Sequence, residues 1–166
     1  LNYRYSNNSP LKLFKVISPY LPEHILNLIL NKPAEYVFKP RYVIYTLLYA
    51  DISGFTALTE QLSLQGKEGA ELLTRIINRI FSGLISIIRD YGGSTLKFGG
   101  DSLFVMFPED FTDPTRAKIN ALKAAAKILR FIEKKGIYKI AGVKRIINIK
   151  IGVNCGNLCS IFAGNE

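Results

Sequence analysis

The sequence predicts an α+β sandwich, with helices packed on one face of a mixed sheet. Three observations predict it. Residues 43–50 form a continuous, partly β-branched apolar run, the pattern of a strand covered on both faces. Residues 68–90 carry Leu73, Ile76, Ile77, Ile80, Leu84, Ile87 and Ile88 at helical spacing. Residues 94–98 and 102–107 read as two strands joined by a tight Gly-Gly turn, a hairpin.

In chain order, residues 1–40 form a lead-in segment with a polar start, a turn at Pro19–Pro22 and a short apolar helix over 23–30. Lys32, Pro33 and Pro40 break its pattern, so a separate domain is not expected there. The domain proper spans 41–166. After the first strand, 56–64 is a short helix ended by Gln65-Gly66, and 68–90 a long one stopped by Gly92-Gly93. Past the hairpin, Asp113 is an N-cap with Pro114 at the first helical position, and that helix runs to Lys135, ended by Gly136. Residues 145–153 form a further strand, followed by a glycine-punctuated stretch to Gly164. The order β-α-α-β-β-α-β fits the ferredoxin-like, palm-type sandwich, in which the first strand lies beside the hairpin.

The 166 residues suit one domain with a real core, at 48% hydrophobic and 21% charged. The apolar run 42–50 is about half what a membrane span needs, and 72–88 is interrupted by Arg75, Asn78 and Arg79. No signal peptide is evident. The net charge of +9 does not imply nucleic-acid binding, because the cations are spread along the chain. The tightest set, Lys118, Lys123, Lys127, Arg130 and Lys134, makes one side of a helix and reads as a solvated face. Such a surface also suits an anionic substrate or an acidic membrane. Cys155 and Cys159 lack a second pair for a metal and read as buried free thiols of a reducing, cytoplasmic protein. His24 is far from both and receives no catalytic role.

Chemistry concentrates at two places. Asp51-Ile-Ser-Gly-Phe-Thr56 closes the first strand, and Lys97-Phe-Gly-Gly-Asp101 lies on the hairpin turn. The topology brings Asp51 and Asp101 to one edge of the sheet. Neighbouring carboxylates repel unless cations neutralise them, and Mg2+ prefers such oxygen ligands together with phosphate oxygens. Two ions can activate an attacking hydroxyl and steady a leaving phosphate. Amides of residues 52–56, at a strand-to-helix turn, suit a polyphosphate, helped by the positive end of the helix. The bland alternative is that Asp51 only caps that helix and Asp101 only sits in a turn.

These residues resemble the two metal-binding motifs of the class III nucleotidyl cyclases, and Ile149-Lys150-Ile-Gly152-Val-Asn-Cys-Gly156 resembles the glycine-bearing strand that follows them. The likeness covers residues 40–164. It is greatest to the first catalytic half of the soluble, bicarbonate-responsive type of adenylyl cyclase, with a lead-in like Leu21-Pro22. The resemblance implies that Asp51 and Asp101, with the Ile52 carbonyl, bind two Mg2+ or Mn2+ ions. It implies that amides of Ser53, Gly54, Phe55 and Thr56 hold the β- and γ-phosphates of ATP, and that Lys150 is a triphosphate-binding cation. It also implies that Lys97 reads the base: adenine N1 is an acceptor for its ammonium, whereas guanine N1 needs a carboxylate. In a pseudo-heterodimer the same lysine lies at a degenerate site and meets a regulatory anion.

Such cyclases build each site across a dimer, so a second copy or a second cyclase domain of the same chain is the expected partner. The family's transition-state asparagine and arginine are expected past residue 166, so the domain is expected to be C-terminally incomplete and inactive alone. Two rivals stand. A diguanylate cyclase shares the palm topology and a Gly-Gly-Asp signature, but Ser102-Leu103 replaces its Glu-Phe. A regulatory cyclase half would bind nucleotide or an effector anion and pair with a catalytic partner.

Overall fold

The computed structural model describes residues 10–18, 21, 25–26, 30–31, 40–108, 112–113 and 115–161. The chain forms two compact units, Tyr42–Ser160 and one made of Leu1–Arg41 with Ile161–Glu166. The second unit contains α1 (Pro10–Ile17), a helix absent from the sequence expectation, with Lys15 in its last turn. Of the helix expected over 23–30, Ile25, Leu26 and Leu30 are described and helical. Of the Pro19–Pro22 turn only Leu21 is described, its amide donating to the Ser18 carbonyl at 3.2 Å; His24, Lys32, Pro33, Pro114 and the stretch after Ile161 lie outside the described residues.

The larger unit holds β1 (Arg41–Ser53), α2 (Phe55–Ser63), α3 (Gly66–Asp90), β2 (Ser94–Gly99), β3 (Ser102–Pro108), α4 (Arg116–Lys135), β4 (Ile137–Ile140), β5 (Val143–Ile146) and β6 (Asn148–Ser160). Four strands form a sheet in the order β2-β3-β1-β6. Last, first, third, second is the ferredoxin-like order once the separate β4–β5 hairpin is set aside. The β1–β3 and β2–β3 pairings are both antiparallel, where a mixed sheet was expected.

Alternation along β1 builds the core. Thr46, Leu48, Ala50 and Ile52 are buried, and opposite them Leu103, Val105 and Phe107 of β3 are buried too. Against this face lie Ile76, Ile80, Leu84, Ile87 and Ile88 of α3 and Ala121, Ala124, Ile128 and Ile132 of α4. Burying that many aliphatic side chains, at about 1.5–3 kcal/mol each, is the dominant stabilising term. The other face of the sheet is partly open: Tyr49 is 39% exposed and Phe104 42%. Their rings meet at 4.7 Å. The expectation that β1 is covered on both faces is therefore corrected. An apolar run reports hydrophobic side chains, not what covers them.

Other boundaries moved for local reasons. β1 runs on to Ser53, so Asp51 lies inside the strand and not at its mouth. The Asp113 carboxylate accepts from the Thr115 amide at 3.1 Å and the Thr115 hydroxyl at 2.7 Å. That makes an Asx-type turn before α4 instead of an N-cap, and the helix begins at Arg116. The strand expected over 145–153 is two strands, β5 and β6, separated at the buried Ile147. Cys155 and Cys159 are free, but Cys155 is only half-buried and Cys159 is exposed, because β6 is not enclosed there. Among the described residues, no helix is long and apolar enough to cross a membrane.

Candidate active site

The site is built where β1 leaves the sheet. Asp51 pairs in register with Ser102, the first residue of β3, and one step on the Ile52 amide donates to the Asp101 carbonyl at 3.1 Å. Ala50 and Ile52 are buried on the helical side, so alternation turns Asp51 to the opposite face, where it is half-buried. Asp101 is exposed on the β2–β3 turn.

The turn is fixed by its own chemistry. Gly99 pairs with Ser102, leaving Gly100 and Asp101 as a two-residue loop. Gly100 has φ +67° while Asp101 is not left-handed, the II′ form that matches strand twist. The Ser102 hydroxyl donates to the Gly99 carbonyl at 2.8 Å and closes the loop. The two aspartates, fifty positions apart in sequence, thus lie at one end of the sheet.

Beside them β1 turns into α2 through Gly54, which has φ +100° and precedes the helix without a side-chain cap. No acidic residue occupies the first turn of α2, so its positive end meets no carboxylate of its own. Phe55 is buried and stacks near Phe81 of α3 at 6.2 Å, and Phe81 meets Phe98 of β2 edge-on at 5.7 Å. This aromatic chain fixes the start of α2 against the hairpin that carries Asp101.

Gly54 also abuts the end of β5. A Cβ there would fall 2.5 Å from the Ile146 carbonyl oxygen and 3.4 Å from the Ile147 Cα. The β4–β5 hairpin is tied to α2 by Arg145, whose Nε donates to Gln61 Oε1 at 2.6 Å, while Gln61 Nε2 donates to the Ile140 carbonyl at 3.1 Å. Ile146 and Ile147 lead directly into β6, so Lys150 starts out from the Asp51 end of the sheet. Ile149 and Ile151 pack on the core, which turns the exposed Lys150 to the face that Asp51 occupies.

Lys97 does not join this cluster. It pairs with Phe104, which pairs with Tyr49, so the three form a row across β2, β3 and β1 on the open face. At roughly 4.8 Å per strand step, Lys97 lies about 10 Å from β1. Ser53 ends β1, Gly54 precedes α2, and Phe55 and Thr56 open that helix.

Sequence reasoning missed the Tyr49–Phe104 pair and the Gln61–Arg145 bond. The aromatic pair was signalled by Phe104 at the outward parity of β3. Nothing in the sequence marks the Gln61–Arg145 bond, which joins residues 84 positions apart.

Carboxylate and carbonyl oxygens are the donor types that Mg2+ or Mn2+ prefers. Among the described residues no group of three His, Cys, Asp or Glu side chains converges as a cation cage. Two carboxylates beside an uncapped helix start suit an ion that completes its shell with phosphate oxygens and water.

A family model described as the adenylate and guanylate cyclase catalytic domain matches residues 37–166. Adenylate cyclase type 10 of Rattus norvegicus is 30% identical over 122 residues, 72% of this chain and 7% of the relative. The terminal-differentiation specific adenylate cyclase of Dictyostelium discoideum is 27% identical over 157 residues, 93% of this chain and 7% of its own length. The chain therefore spans a small part of the curated relatives it matches. A solved bacterial light-regulated adenylyl cyclase superposes with TM-score 0.71 at 21% identity, covering 94% of this chain and 43% of that one. The adenylyl cyclase CyaB from P. aeruginosa gives 0.62 at 24% identity, covering 74% and 60%. Both structural likenesses concern the fold.

Proposed function

Because this chain belongs to the adenylate and guanylate cyclase catalytic domain family, we propose that it is the metal-contributing part of an adenylyl cyclase. The reaction converts ATP to 3′,5′-cyclic AMP and pyrophosphate. The observation that supports this reading is the Ile52–Asp101 hydrogen bond, which joins the backbone next to Asp51 to that of Asp101 beside the uncapped start of α2.

Asp51 and Asp101, with the Ile52 carbonyl, would hold the ions. When bound, two Mg2+ or Mn2+ ions supply charge neutralisation and Lewis acidity at the reacting phosphate. Amides of Ser53, Gly54, Phe55 and Thr56 orient the β- and γ-phosphates, and Lys150 adds a positive charge from β6. The ribose 3′-oxygen forms a bond to the α-phosphorus, its proton leaves, and the bond to pyrophosphate breaks. Positioning and charge stabilisation provide most of the acceleration.

Lys97 contributes base recognition by donating to adenine N1. Its place two strands from β1 suits a site completed across a pair of domains, one giving metals and the other the base contact. The exposed Tyr49 and Phe104 support the same pairing, since an open apolar sheet face favours a second domain against it. That partner is a second copy or a second cyclase domain of a longer chain.

Lys97 also favours a second reading, in which the domain is a regulatory half and this lysine meets an anion at a degenerate site. A cyclic-nucleotide assay with ATP and GTP in parallel, on the parent protein carrying this domain, tests the proposal. Cyclic AMP from ATP is expected; product from GTP alone, or a dinucleotide product, contradicts it.

A further inference from the structure

The outward side of α4 is amphipathic in a way that burial in this fold does not explain. The helix buries Ala117, Ala121, Ala124, Ile128 and Ile132 against the sheet. Ile119, Leu122 and Leu129 recur at spacings of three and seven outside that buried face, from its flank round to the far side, where they are 46%, 59% and 43% exposed. The stripe continues past Leu129 into a shallow groove that includes the exposed Ile137 and Ile146. Along one edge of it run Lys123, Lys127, Arg130 and Lys134, all exposed; Glu133, the one acidic residue of the helix, follows Leu129 by one turn and lines the groove.

We propose that this face of α4 docks in the plane of an anionic lipid surface, its leucine and isoleucine stripe entering the interface while the flanking cations meet acidic headgroups. A helix with an apolar stripe and a basic flank on its free side has the composition of interfacial helices, and long cationic side chains reach up to headgroup level while their stems cover apolar surface. A second copy is disfavoured as the occupant, because it would set the same row of cations against this one in a chain of net charge +9. A solvated face explains the four cations but not the uncovered apolar residues beside them, and a membrane satisfies both groups together. Docking by α4 is independent of the cyclase reading.

Co-sedimentation of the chain with phosphatidylcholine vesicles, with and without phosphatidylserine, tests the proposal. Binding is expected only with phosphatidylserine and is expected to weaken at high salt. The K123Q/K127Q/R130Q variant is expected to lower the partition coefficient on the order of 100-fold, about fivefold per cation. L122S/L129S is expected to lower it by roughly tenfold or more while circular dichroism stays unchanged, since both residues are exposed. Equal binding to neutral vesicles, no binding to either kind, or unchanged binding by both folded variants overturns the proposal. Salt-sensitive self-association through the stripe in the absence of lipid, or retention only by an acidic protein, overturns it as well.

Discussion

The Ile52 amide donates to the Asp101 carbonyl across 3.1 Å, so the strand bearing one candidate metal carboxylate is bonded to the turn bearing the other. Strand register thus brings the backbones of two remote segments together at one end of the sheet. A one-residue slip between β1 and β3 would send Asp51 to the core face and separate the pair.

Gly54 is the most sterically constrained position of the site. Gly54→Ala places a methyl 2.5 Å from the Ile146 carbonyl and forces an alanine to φ +100°. A loss of about 2–4 kcal/mol is expected from the clash and strain together. Urea unfolding reads it as a lower midpoint with an unchanged slope; a midpoint equal to the parent's would mean the loop relaxes freely.

Lys97→Glu exchanges a donor to adenine N1 for an acceptor matched to guanine N1. In the parent protein this substitution is expected to reduce ATP use by roughly tenfold or more, the worth of one charge-assisted hydrogen bond, and to raise the relative use of GTP. Initial rates with the two nucleotides check it. Unchanged selectivity would remove Lys97 from the base pocket.

Tyr138 on β4 has a buried hydroxyl without a hydrogen-bond partner among the described residues. Burial raises its pKa above the ordinary 10.0, and Arg79 partly opposes that. The neutral form is thus favoured by folding, so the stability is intact below pH 10.0 and lost as pH rises through the raised value. Tyr138→Phe is expected to leave neutral-pH stability unchanged or up to about 1 kcal/mol higher. It is also expected to flatten the alkaline fall. Thermal melts across alkaline pH measure both, and a marked loss at neutral pH would mean the hydroxyl has a partner after all.

Much of this molecule was legible because local chemistry and global fold agree. The period over 68–90 marked α3, which starts two residues earlier, at Gly66, with the expected residues inward, and the Gly99-Gly100 turn marked the β2–β3 hairpin. Asp51 and Asp101 could be placed together because the topology leaves β1 beside β3. The β4–β5 hairpin was missed although Ala141-Gly142, at φ +48° and +81°, forms its turn between short apolar-basic strands. Those strands are too short for alternation to stand out, and alanine is not a usual residue for a left-handed turn position. The exposure of Ile119, Leu122 and Leu129 was illegible for another reason. Hydrophobicity marks a residue as able to be buried, and only the packing shows which side of α4 faces the sheet.

The proposed reaction requires Asp51 and Asp101 to share one nucleotide-linked cation site. Calorimetric titration of the domain with ATP and Mn2+ tests it most directly, comparing the parent with Asp51→Asn and with Asp101→Asn. Metal-dependent ATP binding is expected in the parent and is expected to weaken at least tenfold in each variant, with the folds intact by circular dichroism. Undiminished metal-dependent binding in both variants would contradict it.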